Sequence, residues 1–184
     1  MHAYYYDNVS ADQRLPHDSG QPVELDYLRK LGLALTSVPL DTEGGWEPLV
    51  DKIANEHGWD NRDTMDVTKE GLGDQFEQML DKFFAEHMHN DAEVRYILSG
   101  SGYWDIREYP TDLWIRIRVL PGDFIIIPAG IYHRFTLDEL NQVKALRFTT
   151  GELQYSSTAR GSETDASPFR YRYLDSVKEV PVGA

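Results

Sequence analysis

The sequence predicts a mainly β protein with a partly helical N-terminal portion, and three observations carry that reading. Apolar residues recur at helical spacing up to about residue 86 and at every second position beyond it. Six short apolar segments, each of four to six residues, follow in succession after residue 87. Each is set off from the next by a cluster of Gly, Pro, Asn or Asp, the punctuation of a sandwich or barrel.

Taken in order, Tyr4–Tyr6 is a first strand. Pro22 opens a helical segment carrying Leu25, Leu28 and Leu31 and stopped by Gly32, with Pro near its start and Gly past its end. Leu33–Leu40 has strand character. A second helix starts around Pro48, with Leu49, Val50, Ile53 and Ala54 on one face and Gly58 as its stop. Residues 60–73 are polar, hold two glycines and read mostly as loop. From Asp74 a third helix places Phe76, Met79, Leu80, Phe83 and Phe84 on one stripe. The strands expected next are Val94–Leu98, Tyr103–Arg107, Trp114–Val119, Phe124–Ile127, Tyr132–Leu137 and Val143–Phe148. The alternation of Trp114-Ile115-Arg116-Ile117-Arg118-Val119 predicts one wet or cavity-lining face. Gln154–Pro168 reads as coil, and Phe169–Leu174 as a closing element.

Composition narrows the function. The 184 residues suit one core, and the absence of cysteine excludes disulfide scaffolds, thiol catalysis and thiolate-bound clusters. A net charge of −13 is the wrong sign for binding a phosphate backbone or an anionic membrane leaflet. No apolar run approaches the roughly 18 residues of a membrane span. The N-terminal residues have no basic head followed by an apolar core, so no signal peptide is expected.

Of the six histidines, His2, His17 and His57 stand alone and read as surface residues. His87 and His89 differ, because Glu93 and Arg95 follow with the same parity. If this run is extended, all four side chains share one face, and two imidazoles with a carboxylate form most of a divalent-metal site. A solvent-facing cluster on an edge strand would show the same parity. Gly100 marks an expected hairpin turn. Downstream, the Pro128-Ala129-Gly130 corner precedes His133, and a corner resets the strand direction as chelation from two strands requires.

The segments His87-Met88-His89-Asn90-Asp91-Ala92-Glu93 through Gly100, and Gly122 through Pro128-Ala129-Gly130-Ile131-Tyr132-His133, resemble the two signature motifs of cupin barrels. Asp81 and Leu137 stand where those motifs commonly carry Gly and Asn. With Glu86, Glu93-Val94-Arg95-Tyr96, Trp114-Ile115-Arg116, Phe135, Lys144-Ala145-Leu146-Arg147-Phe148, Gly151-Glu152 and the N-terminal Arg14-Leu15-Pro16-His17, the chain resembles the acireductone dioxygenase family.

The resemblance implies a cupin barrel, a double-stranded β-helix or jelly roll, with an N-terminal α/β segment. Residues 1–184 would form one domain: 1–86 a mixed helical N-terminal part, 87–150 the metal-binding barrel core and 151–184 a C-terminal tail. It implies a dioxygenase of methionine salvage acting on 1,2-dihydroxy-3-keto-5-methylthiopentene with O₂. The iron form would yield 4-methylthio-2-oxobutanoate and formate; the nickel form would yield 3-methylthiopropanoate, formate and CO. His87, His89, Glu93 and His133 would hold one Fe(II), or alternatively Ni(II). Arg95 and Glu86 are the candidate catalytic groups, and Arg95, Arg147, Phe83 and Phe135 the candidate substrate contacts. Loss of the Arg95 charge is expected to leave the metal ligands untouched. A monomer in the cytoplasm is expected, with the nucleus as a second compartment and no nucleic acid or membrane partner. Another metal-dependent cupin enzyme, a dioxygenase or isomerase, and a non-catalytic ligand-binding cupin remain as alternatives.

Overall fold

The computed structural model describes residues 1–151 and 157–183. Two antiparallel sheets face one another. The larger has seven strands: β1 (His2–Tyr6), β2 (Asp18–Pro22), β5 (His87–His89), β7 (Gly102–Arg107), β8 (Trp114–Val119), β10 (His133–Leu137) and β12 (Ser157–Ala159). Their order is β12-β5-β10-β7-β8-β1-β2. The smaller has five: β3 (Ala34–Ser37), β4 (Asn61–Thr68), β6 (Glu93–Gly100), β9 (Asp123–Ile127) and β11 (Gln142–Thr149), in the order β3-β9-β6-β11-β4. The described helices are α1 (Leu25–Lys30), α2 (Glu47–Glu56), α3 (Lys69–Leu72), α4 (Phe76–Phe84), α5 (Ser162–Asp165) and α6 (Pro168–Val177). This is the mainly β double-stranded barrel with accessory helices that the sequence predicts.

The chain changes sheet at nearly every corner. It crosses from β5 to β6, back to β7, then from β8 to β9, back to β10, and over to β11. The expected hairpin at Gly100 is therefore a crossing: β6 and β7 lie in different sheets. Gly100 turns there at φ +70°, where a Cβ would stand 2.1 Å from the Gln142 carbonyl oxygen.

Inward side chains of both sheets, among them Ile97, Trp104, Ile106, Ile117, Ile125 and Leu137, form one buried core with Leu28 of α1 and Leu80 of α4. The outer face of the smaller sheet carries Val94, Tyr96, Phe124, Leu146 and Phe148 under Val50 and Ala54 of α2. The polar face expected for β8 is open at Arg118 but covered at Arg116. Arg116 is fully buried, paired to Asp105 through Nε (2.6 Å) and Nη2 (3.0 Å), and donates to the Leu15 carbonyl (2.6 Å) of the N-terminal segment. His17, expected at the surface, is buried by the same segment. Its Nδ1 is paired with Asp7 (2.8 Å), and its ring stacks on Tyr6.

Residues 1–86 supply four strands besides their helices: β1 pairs β8, β3 pairs β9, and β4 pairs β11 along its whole length. The loop expected at 60–73 is thus largely strand. The coil expected at 154–168 holds β12 and α5, with 154–156 outside the described residues, and the closing element is helix α6. Among the described residues no helix is long and apolar enough to cross a membrane.

Candidate metal centre

His87, His89, Glu93 and His133 converge, with one nitrogen or oxygen from each lying within 4.8 Å of all the others. The run 87–95 is not one strand, as the parity argument supposes. It breaks at Asn90-Asp91-Ala92, so that β5 brings the two histidines from the larger sheet and β6 brings Glu93 and Arg95 from the smaller. Parity holds inside each piece, and because the sheets face one another the four side chains still meet. His133 arrives beside His87, its cross-strand partner, once the 128–130 corner has returned the chain to the larger sheet.

The donor set fits a divalent first-row ion. Glu93 Oε2 lies 2.9 Å from His133 Nε2 and 3.2 Å from His89 Nε2. Adjacent donors placed about 2.1 Å from an octahedral ion stand about 3 Å apart. His87 Nδ1 contacts the Ala85 carbonyl oxygen at 2.7 Å, and His133 Nδ1 that of Ile131 at 3.0 Å. A proton on each Nδ1, donated to these carbonyls, leaves Nε2 with a bare lone pair toward the centre. Burial, with His133 nearby, pushes the His87 imidazole down to about 4, so it is neutral around pH 7. Burial opposes the Glu93 charge, but the Arg95 guanidinium and the polar contacts with His133 and His89 outweigh it and hold the carboxyl well below its usual range.

The four ligands open onto a cavity of about 370 Å³, within the size range of small-molecule sites. Arg95, Arg147, Phe83 and Phe135, the candidate substrate contacts, all line it. Arg95 Nη2 lies 3.3 Å from Glu93 Oε1, so this guanidinium is coupled to a metal ligand and the expectation of independence fails. Arg147 is the cross-strand neighbour of both Arg95 and Asp63, and its guanidinium makes a two-pronged pair with the Asp63 carboxylate. Phe83 and Phe135 meet edge to face at 6.2 Å.

Glu86 is not a cavity group. Its oxygens are taken by Arg107 (2.9 and 3.0 Å) and Arg160 (2.8 Å), which overcome the cost of burial and keep it ionised. The groups that orient the ligand imidazoles are instead the backbone carbonyls of Ala85 and Ile131.

Several wall residues escaped the sequence reading. Trp104 Nε1 donates to Glu93 Oε1 at 3.3 Å, and Met65, Val67, Leu72, Met79, Lys82 and Ser157 complete the lining. Strand alternation in Gly102-Tyr103-Trp104-Asp105-Ile106, and in Asp63-Thr64-Met65-Asp66-Val67, was the signal available for Trp104, Met65 and Val67.

A family model described as the ARD/ARD′ family matches residues 2–156. The chain is 52% identical to "Acireductone dioxygenase 1" of Coprinopsis cinerea over 184 residues, all of both chains. It is 45% identical to "Acireductone dioxygenase" of Phaeosphaeria nodorum over 174 residues, 95% of each. Among solved structures, "Acireductone dioxygenase from Bacillus anthracis with cadmium ion in active center" matches with a TM-score of 0.58 at 22% identity, covering 68% of this chain and 82% of that one. At that identity the structural likeness concerns the fold.

Proposed function

The chain belongs to the ARD/ARD′ family, and from that membership we propose that it is a metal-dependent acireductone dioxygenase of methionine salvage. The observation that carries the reading is the convergence of His87, His89, Glu93 and His133 on a cavity that also holds two guanidinium groups and an apolar wall. The proposed substrate is 1,2-dihydroxy-3-keto-5-methylthiopentene, with O₂ as co-substrate.

His87, His89, His133 and Glu93 would hold a divalent ion, which would supply Lewis acidity toward an enediol substrate. Arg95 and Arg147 favour the ionised enediolate over its neutral form, because they place fixed positive charge in a cavity walled by apolar side chains. Arg95 also stabilises the Glu93 carboxylate, so it supports ligand and substrate together. Phe83, Phe135, Met65, Val67 and Leu72 exclude water and accept the methylthioalkyl tail. Asp63 fixes Arg147 in a planar two-pronged pair and limits its rotamers.

The native ion in this proposal is Fe(II), giving 4-methylthio-2-oxobutanoate and formate; Ni(II) in the same site gives 3-methylthiopropanoate, formate and CO. Nitrogen and oxygen donors accept both ions, so the fork is open to test. Metal-free protein is reconstituted with each ion and supplied with acireductone under O₂, and headspace gas and organic acids are measured. Identical products from the two forms would remove the metal-dependent fork; no acireductone consumption by either would remove the assignment. The proposed setting is the cytoplasm, with the nucleus as a second compartment, and the proposed working unit is a monomer, which gel filtration with light scattering checks.

A further inference from the structure

We propose that Arg170 is a positioning residue of the metal centre, acting through the Gly130 carbonyl on the corner that aims His133. The inference rests on the metal-binding reading above. Arg170 lies on α6, beyond the residues matched by the family model.

Arg170 is buried, with 7% of its surface exposed. Among the described residues its hydrogen-bond partner is the Gly130 carbonyl oxygen, 3.1 Å from Nη1. Its guanidinium also lies over the rings of Tyr132 (4.5 Å) and Tyr173 (5.5 Å). The neighbouring Asp165 accepts from the Tyr132 hydroxyl at 2.7 Å. Burying a guanidinium on a carbonyl and two ring faces is costly, and a leucine or methionine would fill the space at lower cost. Helix packing alone therefore does not call for arginine here; the contact with Gly130 does.

That contact falls at a junction of the centre. The Gly130 N–H donates to the His89 carbonyl at 3.0 Å, so this glycine ties the corner to the strand bearing His87 and His89. The adjacent Ile131 provides the carbonyl that meets His133 Nδ1. Gly130 has φ +81°, and a Cβ there would stand 2.3 Å from the Phe169 carbonyl oxygen. The corner is thus seated directly against the first turn of α6, with Arg170 holding its peptide from that side. If the Gly130 peptide rotates, the Ile131 carbonyl and the His133 ring move with it.

The test is Arg170→Met and Arg170→Lys in the full-length chain. Affinity for Ni(II) is measured by competition with a chelator, the visible spectrum of the Co(II) form is recorded, and thermal midpoints of the metal-free proteins are compared. Arg170→Met is expected to keep a metal-free midpoint near the parent's, to bind Ni(II) about 10- to 100-fold more weakly and to shift the Co(II) bands. Arg170→Lys keeps the charge but cannot both stack on Tyr132 and reach Gly130, so it should fall between, about three- to tenfold weaker. A lowered midpoint with parental affinity and spectrum in Arg170→Met makes the residue a plain packing group and overturns the proposal. Should Arg170→Met not fold, Arg170→Lys decides: the stated loss supports the proposal, and parental affinity overturns it. Failure of the parent protein itself to bind Ni(II) or Co(II) would instead remove the metal-binding reading.

Discussion

Glu93 binds the centre together more than any other single side chain. Its two oxygens meet His89, His133, Trp104 and Arg95, and it is the carboxylate of the ligand set. Glu93→Gln keeps the shape and removes the charge, so Arg95 loses its counter-ion at the moment the metal loses an anionic ligand. The expected outcome is protein that holds well under a tenth of the parent's metal after dialysis, on the order of the loss seen when a supporting contact is removed or greater. Elemental analysis checks it, and parental metal content would show that three imidazoles suffice. Arg95 itself cannot be treated as a group acting on substrate alone, because the same guanidinium stabilises Glu93. Parity within β5 and within β6, and the Pro/Gly corner before His133, were legible in the sequence because they are local signals; that the pieces meet depends on the two facing sheets. The position of Glu86 was not legible, since Arg107 and Arg160, which claim it, lie 21 and 74 residues away.

Strands that bury one face and follow a clear turn announced themselves; those at sheet edges did not. The segments β6 to β11 read correctly to within two residues at either end, because each carries apolar side chains on alternate positions or, in β9, in an unbroken run bounded by turn residues. Strand β4 reads as loop in the sequence. It is the edge strand of its sheet, its outer side chains are polar, and its inward row is Asp63, Met65 and Val67, so a charge interrupts the pattern. Strand β2, Asp18–Pro22, is exposed throughout and carries no apolar signal at all. Strand β8 misleads in another way: its alternation is real, but on the polar side only Arg118 is exposed, and Arg116 belongs to a buried ion cluster. Asp105 pairs with both Arg116 and Arg134, and Tyr6 lies against both guanidiniums. Asp105→Asn would leave Arg116 buried without its carboxylate. The expected cost is about 3–5 kcal/mol, read as a lower urea midpoint with unchanged slope. A shift under 1 kcal/mol would mean that the aromatic faces and the Leu15 carbonyl hold Arg116 unaided.

For the molecule as a whole, the centre links pH to stability. Without metal, His87 titrates near 4 in the folded chain and near 6.5 when unfolded. Between those values the unfolded chain takes a proton that the folded chain refuses. The His87 contribution is thus complete above about pH 6.5 and is lost as pH falls toward 4, on the order of 3 kcal/mol in all. Urea midpoints of metal-free protein across this window should fall with pH, and His87→Gln should flatten the slope; an equal slope in both proteins would place the dependence elsewhere. The crossing between the sheets has a further consequence, for chain length. Residues 90–92 span the gap from β5 to β6, with ligands at both ends. Removing one residue there leaves the chain two options. It can drag β5 and β6 out of their ladders, or it can let β6 slip by one, which turns Glu93 to the outer face of its sheet and puts Val94 in its place toward the metal. This connection works as a ruler of fixed count. Drift in length is tolerable at the 138–141 turn, where no ligand follows, and intolerable here.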